Sequence, residues 1–446
     1  MLSLRRPSET GGPRWGLAGA LVLVLLAATV PTLTGWAVHA VGTGSGTAAP
    51  LHATGDPALG IGTPVAVVVG ILGILYADRV AAGLSWTRLL VVTFGVTLVW
   101  SLSLAFVHGS AGLSRELQKS SEYLVTARRV GNVSDLLHGF SARIPLSAAP
   151  DNWPTHVAGH PPGALLFFVA LVHLGLGSAV AAGLVVTVVG ATTPVAVLLT
   201  LARLGVEDGA RRAAPFLVLT PAVLWMAVSG DAVFTAVAAW GLAALAAAGT
   251  TPSRPRRWAL GATAGLLLGL LPLLSYGLAL VAVLALAVVT LTRSWRILPL
   301  VAVAALVPVA VAALLGFDLW SAYPLVRQRY YAGLAAERPA SYWLWGDLAA
   351  LVLSAGPALG AGLGSLWATW RRAEAAIRSL VGAAVVSIVL ADVSLMSKAE
   401  VERIWLPFVP WLLVSTALLP DRWRRPCLAL QVVTAVTIES LLDTRW

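Results

Sequence analysis

Apolar runs of about 18 or more residues recur along the whole chain, separated by short polar stretches rich in arginine. Runs of that length predict membrane-crossing helices. The first, from Gly16 to Val38, is longer than a signal-peptide core and has no small-residue cleavage site behind it, so it is read as a retained helix. A Gly/Thr/Pro-rich stretch without Lys or Arg follows, from His39 to Gly60. The second helix runs to Tyr76, a turn is marked by Asp78, Arg79 and Arg88, and a third helix spans Leu89 to Val107. Continued to the C-terminus, the pattern predicts an all-α polytopic transmembrane bundle of about 12–13 helices. Residues 1–15 would be a tail and 16–446 a single transmembrane domain.

The longest polar stretch, Gly109 to His160, interrupts this rhythm. It holds Glu116, Glu122, Asp135, Asp151, Arg128, Arg129, Arg143 and three histidines. A polar segment this long inside a compact protein is usually functional or carries structure of its own. Leu117, Leu124 and Val125 place an apolar edge on Ser114–Val130, which predicts short interfacial helices within a large extracytoplasmic loop, 109–160.

Composition agrees with the pattern. Of 446 residues, 58% are hydrophobic and only 11% charged, and the mean hydropathy is +0.85. A soluble domain carries roughly 25% charged residues, so this chain has too few to cover its surface in water. Abundant Ala, Val, Leu, Gly and Arg beside very little Lys suggests a GC-rich genome, with an actinobacterial source as the expectation. A net charge of +10 would suggest nucleic acid in a soluble protein. Here the basic residues mark loops between apolar runs, so no nucleic-acid partner is expected and membrane lipid is the expected surround.

Charge also orients the bundle. Arg5, Arg6 and Arg14 place the N-terminus in the cytoplasm of a multi-pass cell-membrane protein. Basic clusters fall at Arg203/Arg211/Arg212, Arg254/Arg256/Arg257, Arg293/Arg296, Arg371/Arg372/Arg378 and Arg422/Arg424/Arg425. If all are cytoplasmic, the intervening apolar segments are hairpins with outer tips at Ser229-Gly230-Asp231, Ser275-Tyr276-Gly277, Phe317–Tyr342 and Ser397–Arg403. One parity conflict remains. Pro161–Leu201 reads as two helices broken near Gly175 and Gly177, whereas the charge pattern asks for an odd number of crossings. Either the first piece is a half-crossing, or Arg203–Arg212 lies outside.

Concentrated polarity thus falls on one face. In the long loop, Glu122-Tyr123 is followed by Arg128-Arg129, His156 and Gly159-His160-Pro161-Pro162-Gly163. Prolines in a first turn lose no helical hydrogen bond, and a helix N-terminus favours phosphate. The alternative is a loop-to-helix signal among solvated charges. Asp231 sits between apolar runs, where a carboxylate is costly unless it faces a cavity or caps a helix. Arg327, Arg329 and Tyr330 offer guanidinium forks and an aromatic face to a phosphate or sugar, with membrane anchoring as the other role of the aromatics. Lys398 and Arg403 are candidate phosphate ligands; internal salt bridges with Glu400 and Glu402 are their alternative.

Several chemistries are missing. There is no GKS/GKT nucleotide loop, no HExxH and no G-x-S-x-G elbow, and the histidines are too scattered for a metal site. The single cysteine, Cys427, excludes an internal disulfide and reads as a buried inert thiol.

The outer-loop acid followed by His160-Pro161-Pro162 resembles the GT-C superfamily of membrane glycosyltransferases, which includes protein O-mannosyltransferases and aminoarabinose transferases. The resemblance covers about Ser120–Leu245 in detail and implies a GT-C-like helical bundle. It also implies a polyprenyl-phosphate-linked sugar as donor and a cell-envelope glycan or lipid, or a protein, as acceptor. Glu122 would be the general base, and Asp231 the acidic residue near the outer end of a later hairpin. Arg128 and His160 would bind substrate, while Arg327, Arg329, Tyr330, Lys398 and Arg403 would hold the donor phosphate. No cofactor or metal is expected. The family pattern has an acidic pair close behind the first helix, whereas Glu122 here is single and follows a third, which leaves Asp56 or Asp151 as alternative acids; Gly163 replaces the common Leu. A secondary transporter or lipid flippase is the competing class; it would predict internal repeats and Gly/Pro-interrupted helices in matching halves.

Overall fold

A computed structural model describes residues 11–40 and 49–444. Arg5 and Arg6, on which part of the orientation rests, lie outside the described residues. The chain is a helical bundle. Its only strands among the described residues, Thr54–Gly55 and Leu442–Asp443, pair antiparallel and tie the loop behind the first helix to the C-terminal segment.

The first helix starts at Gly11 rather than Gly16 and runs to Thr34. Eight helices among the described residues are long and apolar enough to cross a membrane; Ala340–Ala355 and Ala358–Thr369 make a ninth if this pair, bent by 103°, is one span. The remaining apolar runs form three shorter helices, Pro162–His173, Tyr276–Thr292 and Val409–Leu418. The 12–13 helices expected from apolar runs therefore resolve into fewer long spans, because Gly, Pro and Ser break several runs into pieces. Gly230–Thr250 is the inner helix, 72% buried, whereas Gly11–Thr34, Gly62–Gly83 and Trp295–Leu314 are 17% buried and present Leu and Val outward. Such an apolar exterior is stable only against lipid.

Small residues set the helix contacts. Gly12 and Gly16 lie against Gly360 and Gly364 so closely that an added Cβ would collide with backbone, and Gly265 and Gly269 meet Ala304 and Ala305 in the same way. Without a hydrophobic drive between helices in lipid, this close approach gains the van der Waals contact that joins them. Polar side chains inside are turned back on their own helices: Thr97, Ser101 and Thr187 each bond a carbonyl four residues earlier.

The bundle has two chemically different ends. At one, Arg211 Nη1 donates to the carbonyls of Ala81 and Leu84 (2.9 and 2.8 Å), Arg212 bonds Leu419 O and Asp421, and Arg424 bonds Asp78 and Arg212 O. This places Arg203–Arg212 beside the Asp78–Arg88 turn, and the first piece of Pro161–Leu201 is a helix too short to be a full span. The twelve-residue helix Pro162–His173 starts against Leu273 and returns at Gly177, whose carbonyl accepts from Arg128 Nε (2.9 Å). At the other end the expected hairpin tips meet one another and the 109–160 segment. Gly316 lies against His138, Tyr276 meets Tyr323 at 5.4 Å, and Tyr330 reaches Lys398. That segment is built of short helices, Tyr123–Ala127, Val133–Gly139 and Thr155–Gly159, the first of them within the expected 114–130.

The bent pair breaks at Gly356, whose φ of +89° suits a residue without Cβ. The break frees the Ala355 carbonyl inside the bundle. Gln431 Nε2 (2.9 Å) and Thr220 Oγ1 (3.3 Å) donate to it, as unwound backbone in lipid requires.

Candidate functional site

Three distant segments bring one buried ionic cluster together at the tip end. Glu122 immediately precedes the Tyr123–Ala127 helix, but its carboxylate makes no cap bond to it. Instead Glu122 Oε1 meets His156 Nδ1 at 2.5 Å and Arg403 Nη1 at 3.6 Å. Asp231 lies in the first turn of Gly230–Thr250. The capping role is taken by Ser229, whose Oγ accepts from Asp231 N, which leaves the Asp231 carboxylate for other work. Its Oδ2 accepts from Ser229 Oγ (2.9 Å) and lies 3.1 Å from Arg403 Nε. Glu122, Asp231 and Arg403 are 6%, 8% and 5% exposed, so the triad sits largely out of water.

The backbone that holds this triad is strained. Val228, just ahead of Ser229, has φ +64°, and Leu395, Ala399 and Glu400, leading to Arg403, have φ between +56° and +64°. A β-branched valine in the left-handed region is a genuine outlier, and such residues persist where surrounding packing over-determines them.

His160 closes the aromatic side. Its Nδ1 donates to His156 O (2.9 Å), and its ring meets Tyr123 at 5.8 Å and Phe234 at 5.9 Å. Pro161 precedes the next helix and Pro162 occupies its first turn, as the H-P-P pattern predicts. Burial pushes the His160 imidazole below its ordinary range, with Arg403 adding to the effect against Asp231. Burial would raise the Glu122 carboxyl, but the charge and hydrogen bond of His156, with Arg403, outweigh it and hold the group at about 2. Burial likewise raises the Tyr123 phenol, and Asp231 and Glu122 raise it further. The cluster therefore offers ionised carboxylates on one side and a guanidinium on the other.

Of the nine residues predicted for the site, Glu122, Asp231, His160 and Arg403 converge. The others lie elsewhere. Arg329 donates to Ile144 O (2.7 Å) and Trp153 O (2.8 Å), holding the loop together. Arg128 bonds Gly177 O. Lys398 is buried, with Nζ donating to Arg338 O (2.8 Å), and Tyr330 Oη accepts from Lys398 N (2.8 Å). Burial lowers the Lys398 ammonium. Arg327 is exposed on the Leu319–Tyr331 helix. The expected salt bridges within the Lys398–Arg403 loop give way to pairs with other segments, Arg403 with Glu122 and Asp231, and Arg338 Nη2 with Glu400 Oε1 (2.9 Å).

Two participants were not among the residues predicted for the site, although His156 was noted in the loop constellation. His156 was one histidine among three in the loop; its place four residues before His160, near the turn of a helix, was the available signal. Arg338 was overshadowed by the neighbouring arginines. It organises a second buried group, donating also to Lys398 O (2.7 Å) and His39 O (3.1 Å). Glu402 completes that group: its Oε1 accepts from His52 N (2.9 Å), and burial raises its carboxyl to about 7. Among the described residues, no group of three or more His, Cys, Asp and Glu side chains is placed to hold a metal ion. No family model matches the chain, and no curated protein or solved structure matches it.

Proposed function

We propose that the chain is a membrane glycosyltransferase that moves a sugar from a polyprenyl-phosphate donor to a hydroxyl of a cell-envelope glycan or lipid, on the extracytoplasmic face. The observation that carries this reading is the buried Glu122–Arg403–Asp231 bridge, built by three segments at the tip end and flanked by the His160-Pro161-Pro162 helix start. A polytopic bundle with two carboxylates and an arginine at one end suits chemistry on a lipid-linked anion.

In the proposed step the acceptor hydroxyl loses its proton to the Glu122 side of the cluster and attacks the anomeric carbon. The bond to the lipid phosphate breaks in line, with inversion, and its electron pair leaves with the phosphate oxygen. Arg403 offsets the charge that gathers there. Because Arg403 also pairs with both carboxylates, donor phosphate competes with them for the guanidinium. The polyprenyl tail lies in lipid along the apolar exterior.

The test is transfer of label from radiolabelled polyprenyl-phosphate sugars in membranes, comparing wild type with Glu122→Gln. Transfer by the wild type with roughly a hundredfold loss in the variant is expected. A well-folded wild type that transfers from no donor overturns the reading.

A second reading rests on a separate feature. The broken pair Ala340–Ala355/Ala358–Thr369, with its unwound turn met by Gln431 and Thr220, has the form used at transporter sites. A secondary transporter or lipid flippase would move lipid or solute across liposomes without any covalent product, and Gln431→Leu rather than Glu122→Gln would abolish it.

A further inference from the structure

Two bonded groups in the cluster can accept a proton, the Glu122 carboxylate and the His156 imidazole. We infer that His156 takes that proton at Nε2, and that Glu122 is the carboxylate that orients the ring. This rests on the transferase reading and deepens it by naming the base.

The geometry fixes the ring. Glu122 is ionised, and an ionised carboxylate only accepts hydrogen bonds. The 2.5 Å contact with His156 Nδ1 therefore has the hydrogen on nitrogen. In neutral His156 the lone pair then lies on Nε2, where a proton is received. The backbone supports the placement: His156 N donates to Ser121 O (3.2 Å), so the dyad is held by a second bond between the same two segments. The His156 carbonyl accepts from His160 Nδ1, which fixes the ring behind it.

Glu122 is ill suited to be the base itself. Its Oε1 already faces both His156 Nδ1 and the Arg403 guanidinium, and the guanidinium favours the carboxylate over its protonated form. An imidazole oriented by a carboxylate is the usual answer to this requirement, because the anion stabilises the imidazolium as it forms. The charged and titratable groups that act on His156 are Glu122 and His160; Arg403, from Val401–Ile404, faces Glu122 and brings Asp231 and Tyr123 into the same cluster.

The step balances. The acceptor O–H bond breaks and an N–H bond forms at Nε2. The acceptor oxygen bonds the anomeric carbon, and the carbon–oxygen bond to the phosphate breaks with its electrons going to the lipid phosphate. The imidazolium then returns its proton to water.

The experiment pairs a kinetic with a spectroscopic measurement on the full chain in lipid. Wild-type transfer from radiolabelled polyprenyl-phosphate sugars should rise about tenfold per pH unit below the imidazole range and level off above it. In His156→Gln that limb should vanish with a loss of roughly a hundredfold, and in His156→Ala added imidazole should restore part of the rate. With only seven histidines in the chain, nitrogen-15 spectra of labelled protein, assigned through His156→Gln, should show His156 as the Nδ1–H form at high pH. Glu122→Gln should disturb that form.

Transfer that is flat between pH 5 and 8, or an Nε2–H tautomer for His156, overturns the inference while leaving the transferase reading in place. The wild-type profile decides even if a variant fails to fold. A wild type that transfers from no donor overturns the transferase reading and the base with it.

Discussion

Arg403 is a guanidinium enclosed between two carboxylates, and its removal leaves both anions buried without their cation. Arg403→Met should therefore cost about 3–5 kcal/mol, read as a lowered unfolding temperature in detergent. Arg403→Lys should recover only part of this, because an ammonium lacks the planar fork that spans Nε to Asp231 and Nη1 to Glu122. Two carboxylates also give the protein opposite pH dependences. Glu122 is depressed from 4.5 to about 2, so its contribution is present above pH 4.5 and is lost as pH falls toward 2. Glu402 is raised from 4.5 to about 7. Between those values the folded chain keeps a proton that the unfolded chain has released, so stability falls as pH rises from 4.5 to 7. Glu402→Gln should flatten that slope and raise stability at pH 8 by on the order of 2 kcal/mol, measured as unfolding temperature against pH. The same residues show how far sequence carries. Asp231 was legible because a carboxylate flanked by apolar runs needs a partner or a cavity, and Glu122, His160 and Arg403 because they stand in polar stretches between apolar runs. Arg329, Arg128 and Lys398 were not, because their partners are backbone carbonyls, which no spacing of side chains reveals.

Among elements, long apolar runs were legible as spans, and their ends were legible from arginine. The short helix Pro162–His173 was legible only as a conflict of parity, since hydropathy records apolar length and not the direction a helix takes. Helix contacts made by glycine were silent in the same way: a glycine in an apolar run adds little to its hydropathy, yet four of them set how the first helix sits. Gly360→Leu should push Gly11–Thr34 away from Ala358–Thr369, because the position already lies against Gly16 and Ala20. The expected result is a lowered unfolding temperature in detergent, while an Ala substitution at exposed Leu21 leaves it unchanged.

For the molecule as a whole, polar chemistry gathers at one end and arginine-lined turns at the other. The charge rule assigns the arginine end to the cytoplasm. In Cys427→Ser, a cysteine at exposed Arg327 should react with an impermeant maleimide in intact cells, and one at exposed Arg371 only after permeabilisation. The reverse order would invert the bundle and place the cluster on the cytoplasmic face.

The bridge from Arg403 to Glu122 and Asp231 also has a meaning for biosynthesis. The two acids are made and inserted first, and the arginine follows only after most of the bundle has entered the membrane. Until then the partly made protein carries a pair of anions with nothing to balance them, so they must stay wet and the tip end cannot close. Docking of the Lys398–Arg403 loop is thus a late event of assembly.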